Sequence, residues 1–273
     1  MKFFLGTHRP NWLSDERFVD VPLFLSRRML DRYEAPPAAL TDFALDSGGF
    51  TELQMHGRWT ISVSEYADSV KRYARLYGRR LLWAAPQDWM CEPIVLGGGN
   101  APRGVTFRGT GLDVEEHQRR TVANFVELRR LLGSLVIPVL QGWQLADYWR
   151  CCDLYADAGV DLANEPTVGV GSVCRRQSAT EATTIMTTLA SGGGLRLHGF
   201  GFKKGGLKNC GSLLVSADSA SWSEVGRRRV LLPGHDQPGP GRPRGHKNCA
   251  NCAEWALAWR KEMLASLEVS HAA

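Results

Sequence analysis

"FALDSGGFTEL", residues 43–53, carries an apolar run of strand character straight into an aspartate, a serine and two glycines. Two readings compete for Asp46. In one, Asp46 or Ser47 bonds a nearby backbone amide in a tight turn. In the other, Asp46 is an acid or base beside a ligand that the glycines allow to come close. The rest of the chain bears on the choice, because the pattern recurs. Strand-like runs occupy 2–6 (KFFLG), 21–26 (VPLFLS), 43–48 (FALDSG), 81–86 (LLWAAP), 136–142 (VIPVLQG), 167–172 (TVGVGS), 195–201 (LRLHGFG) and 213–219 (LLVSADS). Amphipathic helical patterns fill most gaps, at 62–78, 113–133, 145–159 and 178–191. The first opens with Ser62 and Glu65 at capping-box spacing and closes on Gly78. Nearly continuous apolar strands alternating with helices indicate a parallel sheet covered by helices. Eight of them fit an α/β (β/α)8 TIM barrel, with a doubly wound open sheet as the competitor. Polar residues at strand C-terminal ends (Asp46, Gln141, His198 and Asp218) favour the barrel, in which those ends converge on one face.

The chain has 273 residues, 44% of them hydrophobic and 22% charged, enough for one large α/β domain with a substantial core. No stretch approaches the roughly 20 apolar residues that span a bilayer. The opening MKFFLGTHRPNW has one lysine and too short an apolar run for a signal peptide, so a cytoplasmic location is expected, with no membrane partner. Seven cysteines are too few for a secreted disulfide scaffold. A formal charge of +5 permits a polyanionic partner without requiring one. Residues 96–111 (LGGGNAPRGVTFRGTG) are glycine-rich and polar and read as a long mobile loop. Residues 233–252 are too rich in proline and glycine for regular structure, and a helical pattern at 253–268 closes the chain. This gives a barrel over 1–232 and a zinc-binding loop with its closing helix over 233–273, packed as part of the same domain.

Three groups of residues could carry chemistry. Asp46, Asp88 in QDWM and Asp218 in SADS each follow an apolar run immediately, and Gln141 joins them. A lone strand-end aspartate is an ordinary helix cap. Several at the same end of successive strands can divide nucleophilic and acid/base roles, because different environments separate their pKa values. The second group is His235, His246, Cys249 and Cys252, where HKNCANC gives His-x-x-Cys-x-x-Cys just after LPGH. Four nitrogen and sulfur ligands with no open position describe a structural zinc site. The alternative is a redox Cys-x-x-Cys pair or two unrelated thiols. The third group is cationic: Arg175, Arg176, Lys203, Lys204, Lys208, Arg227, Arg228, Arg229, Arg242, Arg244 and Lys247. Solvated surface charge is the plain reading; phosphate contact around a flipped nucleotide is the functional one.

LDSGGFTEL, QDWM, PVLQGW, VGVGSVCRR, LHGFG and SADSASWS fall in the order and spacing of the tRNA-guanine transglycosylase superfamily. The chain resembles its short DNA-acting branch, the phage and bacterial deazapurine DNA modification transglycosylases, from LGTHRPNW to NCANCAEWALAWR. The resemblance implies exchange of guanine for a 7-deazaguanine, such as 7-cyano-7-deazaguanine, through a covalent Asp–sugar intermediate. By motif position it makes Asp218 the nucleophile and Asp46 the acid/base. Asp88, an acceptor when ionised, and Gln141, an amide donor, suit the edge of guanine. Ser47 and the backbone around Gly169 and Gly171 could supplement them, with Gly48 and Gly49 letting a flat base lie against the chain. The superfamily's zinc site usually has three cysteines and a histidine. Here His235 fills the fourth place, with Cys210 or His271 as substitutes.

The expected partners are DNA, with phosphates held by Arg175, Arg176, Lys203 and Lys204, and the free 7-deazaguanine base. Further modification-system proteins or a homodimer stay open. A tRNA-guanine transglycosylase is the alternative, weakened because no RNA-binding module follows the zinc segment. A barrel hydrolase or lyase acting on a nucleoside, and a non-catalytic nucleic-acid-binding barrel, are the others.

Overall fold

In a computed structural model, the structure describes residues 1–173, 180–229, 231–238 and 245–271. Eight strands form one parallel sheet: β1 (Lys2–Thr7), β2 (Leu23–Ser26), β3 (Phe43–Asp46), β4 (Leu81–Ala84), β5 (Val139–Leu140), β6 (Val168–Val170), β7 (Leu197–Gly199) and β8 (Leu214–Ser219). Their order across the sheet is β4-β3-β2-β1-β8-β7-β6-β5, so each strand lies beside its neighbours in sequence and β1 beside β8. The two edges approach one another through a parallel bridge between Ala84 and Val136, where Ile137 N–H donates to Ala84 O at 3.2 Å. The molecule is thus an α/β protein built on a curled, parallel eight-stranded sheet.

Alternation along each strand decides which residues face the site. Phe3 and Leu5, Leu23 and Leu25, Phe43 and Leu45, and Ala217 belong to the large outer core under the helices. Their alternates Phe4, Phe24, Ala44 and Trp83 form a second cluster with Ala85 and Ile137 inside the curl. Asp46 is two residues beyond Ala44, and His198, Ser216 and Asp218 hold the corresponding alternate positions of β7 and β8. One period of two therefore fills the interior with rings below and delivers carboxylates above.

The covering helices start where the sequence supplies caps. Ser62 Oγ accepts Glu65 N–H at 3.2 Å, while the Glu65 carboxylate accepts Ser62 N–H at 2.7 Å. This capping box opens α1 (Val63–Tyr77), whose Tyr66, Val70, Tyr73 and Tyr77 make a buried stripe at helical spacing. Asp113 caps α2 (Val114–Leu132), and Gln144 with Asp147 closes the start of α3 (Leu145–Asp157).

The glycine-rich stretch 96–111 departs from its reading as a long mobile loop. A short helix, Pro93–Gly97, leads into it, and it holds an antiparallel hairpin pairing Gly99–Ala101 with Val105–Phe107. Phe107 and Val95 are buried against Leu53 and Trp89, and this small apolar cluster anchors the segment. Residues 231–238 and 245–252 contain turns only, as their composition required. The closing helix, α4 (Ala253–His271), sends Trp255, Trp259 and Met263 into the outer core. Among the described residues, no helix is long and apolar enough to cross a membrane.

Candidate active site

A cavity of about 220 Å³ opens at the C-terminal end of the sheet. It is lined by Asp46, Ser47, Asp88, Gln141, Gly171 and Asp218 among the residues singled out by sequence, together with Phe24, Phe50, Met90, Glu92, Ser172 and Phe200. Two expected residues stand behind its wall. Gly48 adopts φ 86°, and the space a side chain would need is filled by Arg28. Gly169 lies within β6, where a Cβ would meet the Phe200 ring at 2.4 Å. Gly49 does line the cavity, but a side chain there would press on Trp59 at 3.0 Å. The two glycines after Ser47 thus make room for Arg28 and Trp59. Arg28 is tied in turn to the buried Glu52, whose other oxygen accepts from Thr60 Oγ1 at 2.6 Å.

The three aspartates share the cavity but not an environment. Asp46 ends β3 and accepts Gly48 N–H at 3.1 Å. Its carboxyl is pushed up to about 6, first by burial and then by the negative charge of Asp218, against a hydrogen bond from Ser26. Burial pushes Asp88 up to about 7; the hydrogen bond from Gln141 opposes this, and the charge of Asp46 adds to it. Both carboxyls reach the cavity while lying deep below the outer surface, so burial governs their ionisation. Asp218 is held differently: Gly201 N–H donates to its Oδ1 at 3.0 Å. No hydrogen bond to its Oδ2 is found among the described residues.

Gln141 is fully buried and clamped at both ends of its amide. Nε2 donates to Asp88 Oδ2, and Oε1 lies 2.7 Å from the Ser172 hydroxyl. Its main chain is fixed as well, since Gln118 Nε2 donates to Gln141 O at 2.6 Å. A Cβ on Gly171 would fall 2.2 Å from Gln141 Nε2, so the glycine is what lets the amide lie there. Ser172 is the one non-glycine residue with positive φ (56°) among the described residues. Its hydroxyl also accepts Cys91 N–H at 2.8 Å and lies 2.8 Å from Glu92 Oε2. A backbone held in that region costs about 1 kcal/mol or more, and such strain gathers at functional sites.

The second constellation comes together from the loop and the start of α4. One ligand atom from each of His235, His246, Cys249 and Cys252 lies within 4.8 Å of all the others. His235 Nδ1 is 3.5 Å from Cys249 Sγ and 3.6 Å from Cys252 Sγ. A tetrahedral zinc with arms of about 2.0–2.3 Å has ligand–ligand edges of roughly 3.3–3.8 Å, so the donor set fits that ion. His235 Nε2 meets Glu254 at 2.6 Å, the carboxylate partner that fixes the ring of a metal-binding histidine. Cys249 N–H donates to Gly226 O at 3.0 Å, and Trp255 Nε1 to Trp222 O at 2.8 Å, which seats the cluster against the helix Ser221–Arg228. Of the substitutes, Cys210 is buried near Thr183, at 3.9 Å.

Of the cations, Arg175, Arg176, Arg242 and Arg244 lie outside the described residues. Lys203 and Lys204 follow β7 at the same end of the sheet as the cavity. They line a separate surface hollow with Arg229, Trp259 and Glu262, and Lys204 pairs with Glu262 at 3.2 Å. Sequence reasoning did not mark Phe24, Phe50, Met90, Glu92, Ser172 or Phe200. Their signal was adjacency alone: each sits one to four residues beyond a marked position or at an inward strand position.

Set beside known proteins, the chain is matched by one family model over residues 1–272, that of DpdA, "DeoxyPurine in DNA protein A", and it belongs to that family. No curated protein matches it.

Proposed function

We propose that this member of the DpdA family is a transglycosylase that exchanges guanine for a 7-deazaguanine base in DNA, on a (β/α)8 barrel pinned by a structural zinc. The observation that carries the reading is that Asp46 and Asp218 line one cavity at the C-terminal end of the sheet. Two carboxyls share one cavity, the charge on one raises the other to about 6, and a group so poised can both give and take a proton near neutrality. Retaining glycosyl transfer needs that pair, one carboxylate to bond the sugar and one to move protons.

In the first half-reaction an oxygen of Asp218 bonds to C1′ of the deoxyribose. The bond from C1′ to the guanine ring nitrogen breaks, its electron pair leaves with the base, and protonated Asp46 supplies the proton. In the second half, ionised Asp46 takes the ring N–H proton of the incoming 7-deazaguanine. That nitrogen bonds to C1′, and the ester bond to Asp218 breaks to return the carboxylate. Asp88, when ionised, accepts from the N–H edge of the base. Gln141 keeps one amide hydrogen for its carbonyl, since Ser172 and Asp88 fix which way the amide points. The apolar wall of Phe24, Phe50, Met90 and Phe200 suits a flat ring.

The target nucleotide must leave the duplex to reach a cavity of this shape, at a cost of a few kcal/mol. The family's name supports deoxy substrates over tRNA. His235, His246, Cys249 and Cys252 would hold the zinc, which gives order to a loop with little packing of its own. The test is to incubate the protein with guanine-containing DNA and labelled 7-cyano-7-deazaguanine, then digest to nucleosides. Label in the DNA with release of free guanine supports the reading; so does a protein–DNA adduct absent from Asp218→Asn. An adduct formed equally by Asp218→Asn overturns the assignment.

A further inference from the structure

One polar group inside the curl has no part in the chemistry described so far. His198 is fully buried, ringed by Phe4, Phe24, Trp83 and Phe200 with centroids 4.6–6.0 Å away. An imidazole among hydrocarbon rings is costly unless its nitrogens are used. Nδ1 lies 2.8 Å from Ser216 Oγ. Nε2 has no hydrogen bond within normal length among the described residues, but it faces Asp218 Oδ1 at 3.4 Å. If the ring hydrogen sat on Nδ1, a bare lone pair would point at a carboxylate. The Ser216 hydroxyl can turn to donate to Nδ1, which places the hydrogen on Nε2 and aims it at Oδ1. Gly201 N–H donates to that same oxygen.

We propose that His198 is a positioning residue for Asp218, and that its Nε2–H acts chiefly in the second half of the exchange; this rests on Asp218 being the nucleophile proposed above. With Oδ1 held by Gly201 and His198, Oδ2 is the oxygen left to bond C1′. Once the ester forms, Oδ1 becomes its carbonyl oxygen and carries little charge. When the incoming base nitrogen bonds to C1′, the C1′–Oδ2 bond breaks and its electron pair returns to the carboxylate. Negative charge therefore grows on Oδ1 in that transition state, and a donor aimed at it stabilises the transition state more than the ester. In the first half the carboxylate begins fully charged, so the same donor helps ground and transition states about equally. The apparent gap of 3.4 Å leaves room for the bond to shorten as charge returns.

The experiment separates the two halves with purified full-length protein and a guanine-containing oligonucleotide. Adduct formation is followed without the deazaguanine, and discharge of the isolated adduct after 7-cyano-7-deazaguanine is added. His198→Phe, which keeps a ring in the cage, should slow discharge about tenfold or more, the size of one charge-assisted hydrogen bond. Adduct formation should change far less, so adduct accumulates at steady state. His198→Gln, whose amide restores an N–H, should recover most of the discharge rate. Ser216→Ala leaves the ring in place but frees its hydrogen, and should slow discharge severalfold even if His198→Phe does not fold. Native discharge rates in both His198→Phe and Ser216→Ala overturn the inference, as does an equal loss in both halves. Failure of the native protein to form any adduct overturns the proposed function instead, and the inference with it.

Discussion

Neutralising Asp46 should make the protein more stable and less active, with a pH dependence set by the cause of its raised pKa. In the folded state its carboxyl is held at about 6 against an ordinary value of 3.8. The sign follows: above about 6 the folded protein carries an ionised group it disfavours, and below about 3.8 the group is protonated in both states and the penalty is gone. The raised value corresponds to a cost of about 3 kcal/mol at pH 8, falling to about 1 kcal/mol near pH 4.5. Asp46→Asn removes that cost but weakens one of the hydrogen bonds from Ser26 and Gly48, a loss of about 1 kcal/mol. The net expectation is a gain of about 2 kcal/mol at pH 8 and nearly none at pH 4.5. For a chain of this size that is a melting point higher by about 3–4 °C. Denaturant unfolding at both pH values, with zinc content checked, measures it directly. In an Asp218→Asn background the gain at pH 8 should shrink, since Asp218 is one cause of the shift. Destabilisation at pH 8, or an equal gain at both pH values, would refute the account of Asp46 as a carboxyl raised by burial and a neighbouring charge.

Other outcomes follow from the same geometry. Cys252→Ser should lower bound zinc, read by metal analysis, together with the melting temperature, because ligand binding and loop order are coupled; Glu254→Gln should weaken zinc retention against a chelator by about tenfold while leaving all four ligands in place. Gly171→Ala drives a methyl into the Gln141 amide and should cost base exchange far more than DNA binding, checked by turnover against gel shift. Asp88→Asn should blunt discrimination between guanine and adenine in exchange assays and leave the salt dependence of DNA binding unchanged. Charge reversal at Lys203 and Lys204 should do the converse, flattening the log–log salt slope without altering base preference.

All eight strands were legible because a parallel sheet buried on both faces leaves near-continuous apolar runs between helices. Their exact limits were not: 136–142 reads as seven strand residues, of which only Val139–Leu140 pair as strand. The capping box at Ser62 and Glu65 was readable because both partners are local. The hairpin inside 96–111 was not, since it depends on Phe107 and Val95 finding Leu53 and Trp89, a contact between segments far apart in sequence. Glycine-rich composition reports the freedom of a chain, not the anchors that remove it. Cys-x-x-Cys with a histidine three residues upstream survived as a motif because three ligands share one short segment.

The site divides along the same line. Asp46, Asp88, Gln141 and Asp218 could be picked out because polar residues at the ends of apolar runs break a pattern, and a broken pattern is visible in one dimension. Ser172 and Glu92 break none, and His198 breaks one without showing what its ring faces. Ser172 matters through a positive φ that serine does not advertise and through an oxygen lying between Gln141 and Glu92. His198 matters through which oxygen of Asp218 it faces, a question of strand register between β7 and β8 in which Gly199 pairs with Ala217 and His198 with Ser216. A shift of one residue in that pairing would turn the imidazole away from the carboxylate. The acids that would do the chemistry are therefore written in the sequence, while the groups that would decide when and on which atom they act depend on how the strands line up.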